Sequence, residues 1–395
     1  SLLLESIEMR MVSDVPLGAF LSGGIDSSTV VALMQAISPQ PIKTFSIGFS
    51  EDAFNEAPYA KEVARHLGTE HTELYVTPAQ AMAVVPKLPQ LYDEPFSDSS
   101  QIPTFLVAEL ARQHVTVSLS GDAGDELFGG YDRYAWASHI WNRVGWMPYQ
   151  ARRLGASILK ALPQGLLSKG LQPMKRWLPE GDFNRDPGEL AQRVADYLKV
   201  RQPENMYHGL VSHWRPGDGL VLEAQEPPTP LSDPAQWPSF TGFFQRMMFF
   251  DLITYLPDDI LVKVDRASMA VSLESRIPLL DHRVVEYAWR IPLSMKVRQG
   301  KGKWLLRRLL YKYVPPELVE RPKKGFGVPL DQWLRGPLKN WAAELLAPER
   351  IQRQGFLNQQ VVQRTWQEHQ EKSKDWHYWL WDVLMFQLWL EENPA

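Results

Sequence analysis

The sequence has no cysteine in 395 residues. That excludes a disulfide framework, a thiolate metal site and a cysteine nucleophile within this chain. A reducing cytoplasm is the compartment such a composition fits. Long apolar runs are also missing: none approaches the roughly 20 residues of a membrane-crossing helix. There is no excess of one charge either. The formal net charge is -4 with both signs interleaved, so no segment is marked for nucleic acid or an anionic bilayer. The opening Ser1-Leu2-Leu3-Leu4-Glu5 has no basic segment ahead of its apolar residues and does not read as a secretory signal. It starts with Ser and enters an amphipathic pattern at once, so a piece of a longer polypeptide is expected. Internal repeats and low-complexity segments are absent.

What is present is ample for a large core, as one domain or two closely packed ones, since 44% of the residues are hydrophobic. Fifteen tryptophans and 31 prolines point to a structured, loop-rich globule. The first third alternates short β-branched or aromatic runs with helical patterns. Strands are predicted at Leu17–Leu21, Lys43–Phe49, His71–Val76 and Val115–Leu119. Helices are predicted at Ser27–Ile37, at Glu56–Leu67 with Gly68 closing it, at Pro78–Tyr92 and at Ile102–Gln113. Alternating strands and helices imply a parallel sheet covered on both faces. After Trp136 the sequence becomes Trp-, Arg- and Pro-rich, and helices without strands are expected. The C-terminal helix carries Trp379, Val383, Phe386 and Leu390 at helical spacing, which reads as core packing.

Ser22-Gly23-Gly24-Ile25-Asp26-Ser27-Ser28 lies between a buried strand and a helix. Glycines there let the backbone approach an oxyanion, and the helix start adds N–H groups and the positive end of a dipole. Three serine hydroxyls add donors. It is neither a Walker A loop, lacking Gly-Lys-Ser/Thr, nor a dinucleotide fingerprint, lacking Gly-x-Gly-x-x-Gly. A carboxylate beside polyphosphate is repulsive unless a metal lies between them, so Asp26 reads as a Mg²⁺ ligand. An ordinary turn with Asp in the first helical turn would explain Asp26 alone, but not the whole heptapeptide. A second loop, Ser120-Gly121-Asp122-Ala123-Gly124-Asp125-Glu126-Leu127-Phe128-Gly129-Gly130-Tyr131, again follows a strand. Its carboxylates and small residues suit a second contact site for metal and nucleotide, where open α/β sheets bind ligands.

The first loop is similar to the pyrophosphate-binding loop of ATP pyrophosphatases, which cleave ATP between its α and β phosphates. That group includes asparagine, GMP and argininosuccinate synthetases and tRNA-thiolating enzymes. The second loop resembles that of asparagine synthetases more specifically. Two further segments agree: Tyr255 to Arg266 leading into Leu273 to Asp281, and Arg321-Pro322-Lys323-Lys324-Gly325-Phe326-Gly327-Val328-Pro329. The matching motifs run from about Leu17 to Leu334, and the stretch 141–238 matches loosely.

The resemblance implies an α/β fold of the adenine-nucleotide alpha-hydrolase (ATP pyrophosphatase) type. Residues 1–136 would form the nucleotide-binding core, and residues 137–395 a large helical elaboration completing the site. It implies that ATP and Mg²⁺ are used to amidate a carboxylate through an acyl adenylate, with AMP and pyrophosphate released. Leu21 and Ile47 would contact adenosine through their backbones. Ser22, Gly23, Gly24, Asp26, Ser27, Ser28, Ser120 and Gly121 would hold the nucleotide, and Asp26 and Asp125 the Mg²⁺. The candidate catalytic residues are Lys323, Asp122 and Glu274. In two places the sequence departs from the pattern: Asp122 stands where many relatives have Glu, and Met269 where some have Lys, with Lys263 a candidate substitute. Aspartate is the default substrate and ammonia the nitrogen source, delivered by a glutaminase domain in the full-length chain or as a partner. Another carboxylate (a polysaccharide uronic acid, a β-lactam or peptide precursor) and a non-catalytic nucleotide-binding scaffold remain alternatives. Oligomeric state is open, with a homodimer as a candidate.

Overall fold

The computed structural model describes residues 2–49, 55–161, 194–215, 217–240, 242–321 and 327–393. Its centre is a sheet of five parallel strands: β1 (Leu17–Phe20), β2 (Lys43–Phe49), β3 (Glu70–Val76), β4 (Val117–Leu119) and β5 (Glu274–Arg276). Their spatial order is β3-β2-β1-β4-β5. Four of the strands lie where sequence periodicity places them. β2 follows directly from its buried Thr-Phe-Ser-Ile-Gly-Phe run, and a central parallel strand is hydrophobic throughout because both its faces are covered.

The fifth strand corrects the expectation that none follows Trp136. β5 pairs parallel with β4, Val117 opposite Glu274 and Leu119 opposite Arg276. Its three residues carry no apolar alternation, so pairing rests on backbone hydrogen bonds at the sheet edge. Two other expectations also shift. The predicted helix Pro78–Tyr92 is broken into Pro78–Met82, a 3₁₀ turn Val85–Lys87 and Leu88–Leu91. Pro86 and Pro89 supply no N–H to a continuous ladder. The helix His377–Glu392 buries Leu380, Trp381, Val383, Leu384, Met385 and Leu388, a side broader than the stripe at Trp379, Phe386 and Leu390, which are only half-buried.

Helices cover both faces. On one, Leu2–Arg10, Ile25–Ile37 and Ala57–Leu67 share a core with Trp304–Leu310. On the other, Gln101–Arg112 packs with Val262–Met269 and the C-terminal helices. A third cluster, around Tyr134, Tyr207, Met247 and Phe250, ties Asp132–Val144 to Phe243–Ile253. No helix among the described residues is long and apolar enough to cross a membrane.

The strand order decides where a ligand can enter. From β1 the chain goes to β2 and β3 on one side, then returns to β4 on the other. The crossovers therefore diverge between β1 and β4, and a crevice opens beyond the C-terminal ends of those neighbouring strands. Both glycine-rich loops leave from that point.

Candidate active site

The first loop turns directly into the helix Ile25–Ile37, which starts two residues earlier than its periodicity indicates and has no side-chain cap. Its first N–H groups are thus presented to the crevice with the dipole behind them. The loop is pinned internally: Ser22 N donates to Ser27 Oγ at 3.2 Å, the two hydroxyls are 2.9 Å apart, and Gly24 N donates to Ser22 Oγ at 3.3 Å. Gly23 adopts φ +74, a left-handed turn against the helix Ala57–Leu67. Ser28 is fully buried and so is set back from the loop surface. Leu21 donates its N–H to Phe45 O at 2.9 Å. β2 runs on past the end of β1, so Leu21 and Ile47, both buried, flank the crevice.

The second loop presses on the first. A Cβ on Gly121 would lie 2.6 Å from Ser27 N, and one on Gly124 would lie 2.4 Å from the Asp26 carboxylate. Only glycine permits that approach. Ser120 N donates to Arg276 O at 2.9 Å, so β5 helps to seat the loop, and Ser120 Oγ donates to Asp122 Oδ2 at 2.7 Å. The consequence is that Asp26 and Asp125, 99 residues apart in number, converge on one cation, Lys303 Nζ. It contacts Asp26 Oδ2 and lies 2.8 Å from Asp125 Oδ1. Burial disfavours the charged lysine, yet Asp125 and Asp26 hold its pKa above the usual lysine value.

Two carboxylates converging on a cation are a donor set that fits Mg²⁺, which typically takes one or two carboxylates and completes its shell with phosphate and water oxygens. Among the described residues no group of three or more His, Asp or Glu could hold a metal by itself. Asp26 and Asp125 are the residues that would hold it. Next to them Glu126, buried, accepts a 2.8 Å hydrogen bond from Tyr131 OH. Burial and the neighbouring Asp125 push Glu126 up to about 7.

A second polar cluster forms beside the loops. The segment Leu256–Leu261 is a π-helical turn running into the helix Val262–Met269, and such turns often occur at functional sites. Lys263 Nζ, buried, donates to Asp98 Oδ2 at 2.5 Å and lies 3.8 Å from Asp259. Asp98 also accepts from Ser100 N and Oγ at 2.9 and 2.8 Å. Despite burial, Lys263 holds Asp98 below the usual carboxylate range. Asp259 is raised, first by burial and then by Asp98. Asp122, also raised by burial, feels both Lys263 and Asp125, and so stands between the clusters. His213 Nδ1 is 2.9 Å from Asp382 on the C-terminal helix.

The geometry therefore brings together Ser22, Gly23, Gly24, Asp26, Ser27, Ser120, Gly121, Asp122 and Asp125. It does not bring Glu274 to them. Glu274 begins β5, is exposed, and accepts from Arg276 Nε at 2.7 Å; it stands at the N-terminal end of the sheet, opposite the crevice. Met269 is 57% exposed at a helix end, whereas Lys263 reaches the carboxylates. Lys323 and Lys324 lie outside the described residues. Arg321, the last described residue ahead of them, donates from Nη2 to Ser22 O at 2.8 Å and stacks on Tyr59 at 4.1 Å. Lys303, Asp98, Asp259 and Glu126 were not singled out in the sequence. A signal for Lys303 existed in Gly300-Lys301-Gly302-Lys303-Trp304, a glycine-flanked lysine at a helix start.

The family model described as asparagine synthase matches residues 1–391. Similar proteins include asparagine synthetase [glutamine-hydrolyzing] 1 of Bacillus subtilis, 32% identical over 391 residues, covering 98% of this chain and 58% of that protein. A putative asparagine synthetase [glutamine-hydrolyzing] of Mycobacterium bovis is 35% identical over 390 residues, with 98% and 56% covered. One from Methanocaldococcus jannaschii is 50% identical over 274 residues, with 68% and 48% covered. The chain thus spans about half the length of these relatives.

Proposed function

The chain belongs to the asparagine synthase family, and on that premise we propose that it activates a carboxylate with ATP and joins it to ammonia, with aspartate the default substrate. The observation that carries this reading is the meeting of two glycine-rich loops at the sheet's switch point, where Asp26 and Asp125 share one cation. A substrate carboxylate oxygen attacks the α-phosphorus of ATP, and the bond to the β-phosphate oxygen breaks. The products are an acyl adenylate and pyrophosphate. Ammonia attacks the acyl carbon, gives up a proton, and AMP leaves.

Each part of the site has a role in that sequence. The N–H groups at the start of Ile25–Ile37 and the Ser22 and Ser27 hydroxyls hold the phosphate oxygens. Asp26 and Asp125 would hold Mg²⁺, which when bound neutralises charge on the departing pyrophosphate. Lys323, two residues after Arg321, would act on the same phosphates as a mobile point charge. Asp122, lying between the phosphate side and the Asp98–Lys263–Asp259 cluster, accepts the proton released from ammonia. The second cluster lines the acyl side. Because the relatives are named glutamine-hydrolyzing and this chain has no cysteine, a glutaminase domain outside these residues would supply the ammonia.

ATP–pyrophosphate exchange against a panel of carboxylates tests the proposal. Aspartate-dependent exchange, with amide formed from ammonia but not from glutamine by this chain, is the expected result. ADP and phosphate as products would overturn it. Asp122, where glutamate is usual, is the one observation favouring another carboxylate; exchange with a uronic acid or β-amino acid but not aspartate would select that reading.

A further inference from the structure

Lys303 belongs to neither loop motif, yet its place is built for it. It takes φ +58 at the start of Trp304–Leu310, and its N–H donates to Phe128 O at 2.9 Å. Its side chain runs across Gly130, where a Cβ would lie 2.0 Å from Cε, and Gly302 packs so closely on Gly129 that a Cβ there would meet the carbonyl oxygen at 2.1 Å. The tip ends between Asp26 and Asp125 with its side chain 8% exposed.

Those are the two carboxylates that would hold the divalent cation. An ammonium in contact with both occupies the oxygens a metal would use, and at similar separations its repulsion of a divalent cation offsets about half of the attraction from the two carboxylates. A tethered lysine also needs no dehydration from bulk and loses little freedom in arriving, whereas Mg²⁺ gives up its water reluctantly. A polyphosphate reverses the balance. It adds several negative charges at the lysine's reach and supplies the oxygens that complete a metal shell.

We propose that Lys303 is the resident counter-ion of the Asp26–Asp125 pair, holding the divalent cation's place until a nucleotide polyphosphate draws the lysine off and brings the metal in. The proposal rests on the metal assignment made above for these two residues. It implies an order: the site takes the metal–nucleotide complex and not the free ion, and it stays charge-compensated between turnovers.

The test uses Mn²⁺ as the probe, read by equilibrium dialysis as ion retained with the chain above a protein-free control, with and without the non-cleavable analogue α,β-methylene-ATP. The wild-type chain should leave free Mn²⁺ unbound without nucleotide and take up about one ion per chain with it. Lys303→Gln should bind Mn²⁺ without nucleotide, about a hundredfold or more tighter than wild type, and gain thermal stability from it; adding Asp26→Asn should abolish that binding. Equal nucleotide-free affinity in wild type and Lys303→Gln overturns the proposal. If Lys303→Gln does not fold, the wild type decides alone: Mn²⁺ bound as tightly without nucleotide as with it overturns the proposal, and nucleotide-dependent uptake supports it. No uptake in any sample removes the metal assignment and this proposal together, while carboxylate-dependent pyrophosphate exchange would still support the ligase reading.

Discussion

Gly121→Ala is the sharpest test of how the two loops make one site. A Cβ at 121 would lie 2.6 Å from Ser27 N and 2.7 Å from the Asp26 carbonyl carbon. Ordinary contacts of this kind are about 3.5–4.0 Å, and both atoms are backbone at the start of a buried helix, so no side chain can swing aside. The loops must part by about 1 Å. Overpacking of this kind costs roughly 1–3 kcal/mol, a fall of a few degrees in Tm for a chain of this size. The larger effect should be kinetic. Asp26 follows one loop and Asp125 the other, so their oxygens would no longer meet a common cation, and a misplacement of this size costs about 10²-fold in rate. Scanning calorimetry and ATP–pyrophosphate exchange on the same preparation measure the two effects. Gly155→Ala, in the helix Tyr149–Ala161, is the control: a Cβ there meets no described atom within 4 Å, and the change should stabilise by about 0.5–1 kcal/mol. A Gly121→Ala chain with wild-type Tm and an exchange rate within a few-fold of wild type would refute the argument that the loops are in obligatory contact.

Other perturbations follow from the same geometry. Asp26→Asn should lower exchange by about 10²–10³ with the melting curve nearly unchanged, since Lys303 keeps Asp125; activity near wild type would reject Asp26 as a metal ligand. Lys323→Ala should lower kcat and kcat/KM for ATP together, while Lys324→Ala stays within a few-fold of wild type; equal losses would indicate a diffuse basic surface instead. Asp251 is fully buried and receives Arg133 Nη2 at 2.6 Å as well as the hydroxyls of Tyr134 and Tyr207; Asp251→Asn should cost roughly 3–5 kcal/mol in urea unfolding, and a negligible midpoint shift would contradict that. Lys296 is 2% exposed against Trp289, and burial lowers its pKa to about 8. Its folded pKa lies below the unfolded value, so the stability linked to its neutral form is present above about pH 10.5 and lost as pH falls towards 8. Lys296→Met should therefore be more stable than wild type at pH 7, by about 1–3 kcal/mol, with the advantage shrinking between pH 8 and 10.5; a pH-independent difference in urea midpoints would count against it.

The sequence by itself determined those features that neighbouring residues encode. β1, β2 and β4 are largely buried runs bounded by turn residues, β3 is a more polar stretch ending in Leu-Tyr-Val, and each glycine-rich loop is a contiguous string whose backbone chemistry can be read without knowing what surrounds it. What only the tertiary structure decided is everything that depends on residues far apart in the chain. β5 is Glu-Ser-Arg, with no apolar pattern, and exists because the edge of β4 offers backbone partners; its placement carries Glu274 away from the crevice. Lys303 reaches Asp26 across 277 positions, because Trp304–Leu310 packs on Ile25–Ile37 and three glycines let the intervening backbones close up. Lys263 reaches Asp98 across 165 positions, through a π-helical turn that no periodicity announces. A charged side chain carries no local mark of whether it ends in water or against a buried carboxylate. That outcome is set by which helices pack together, and packing is a property of the whole fold.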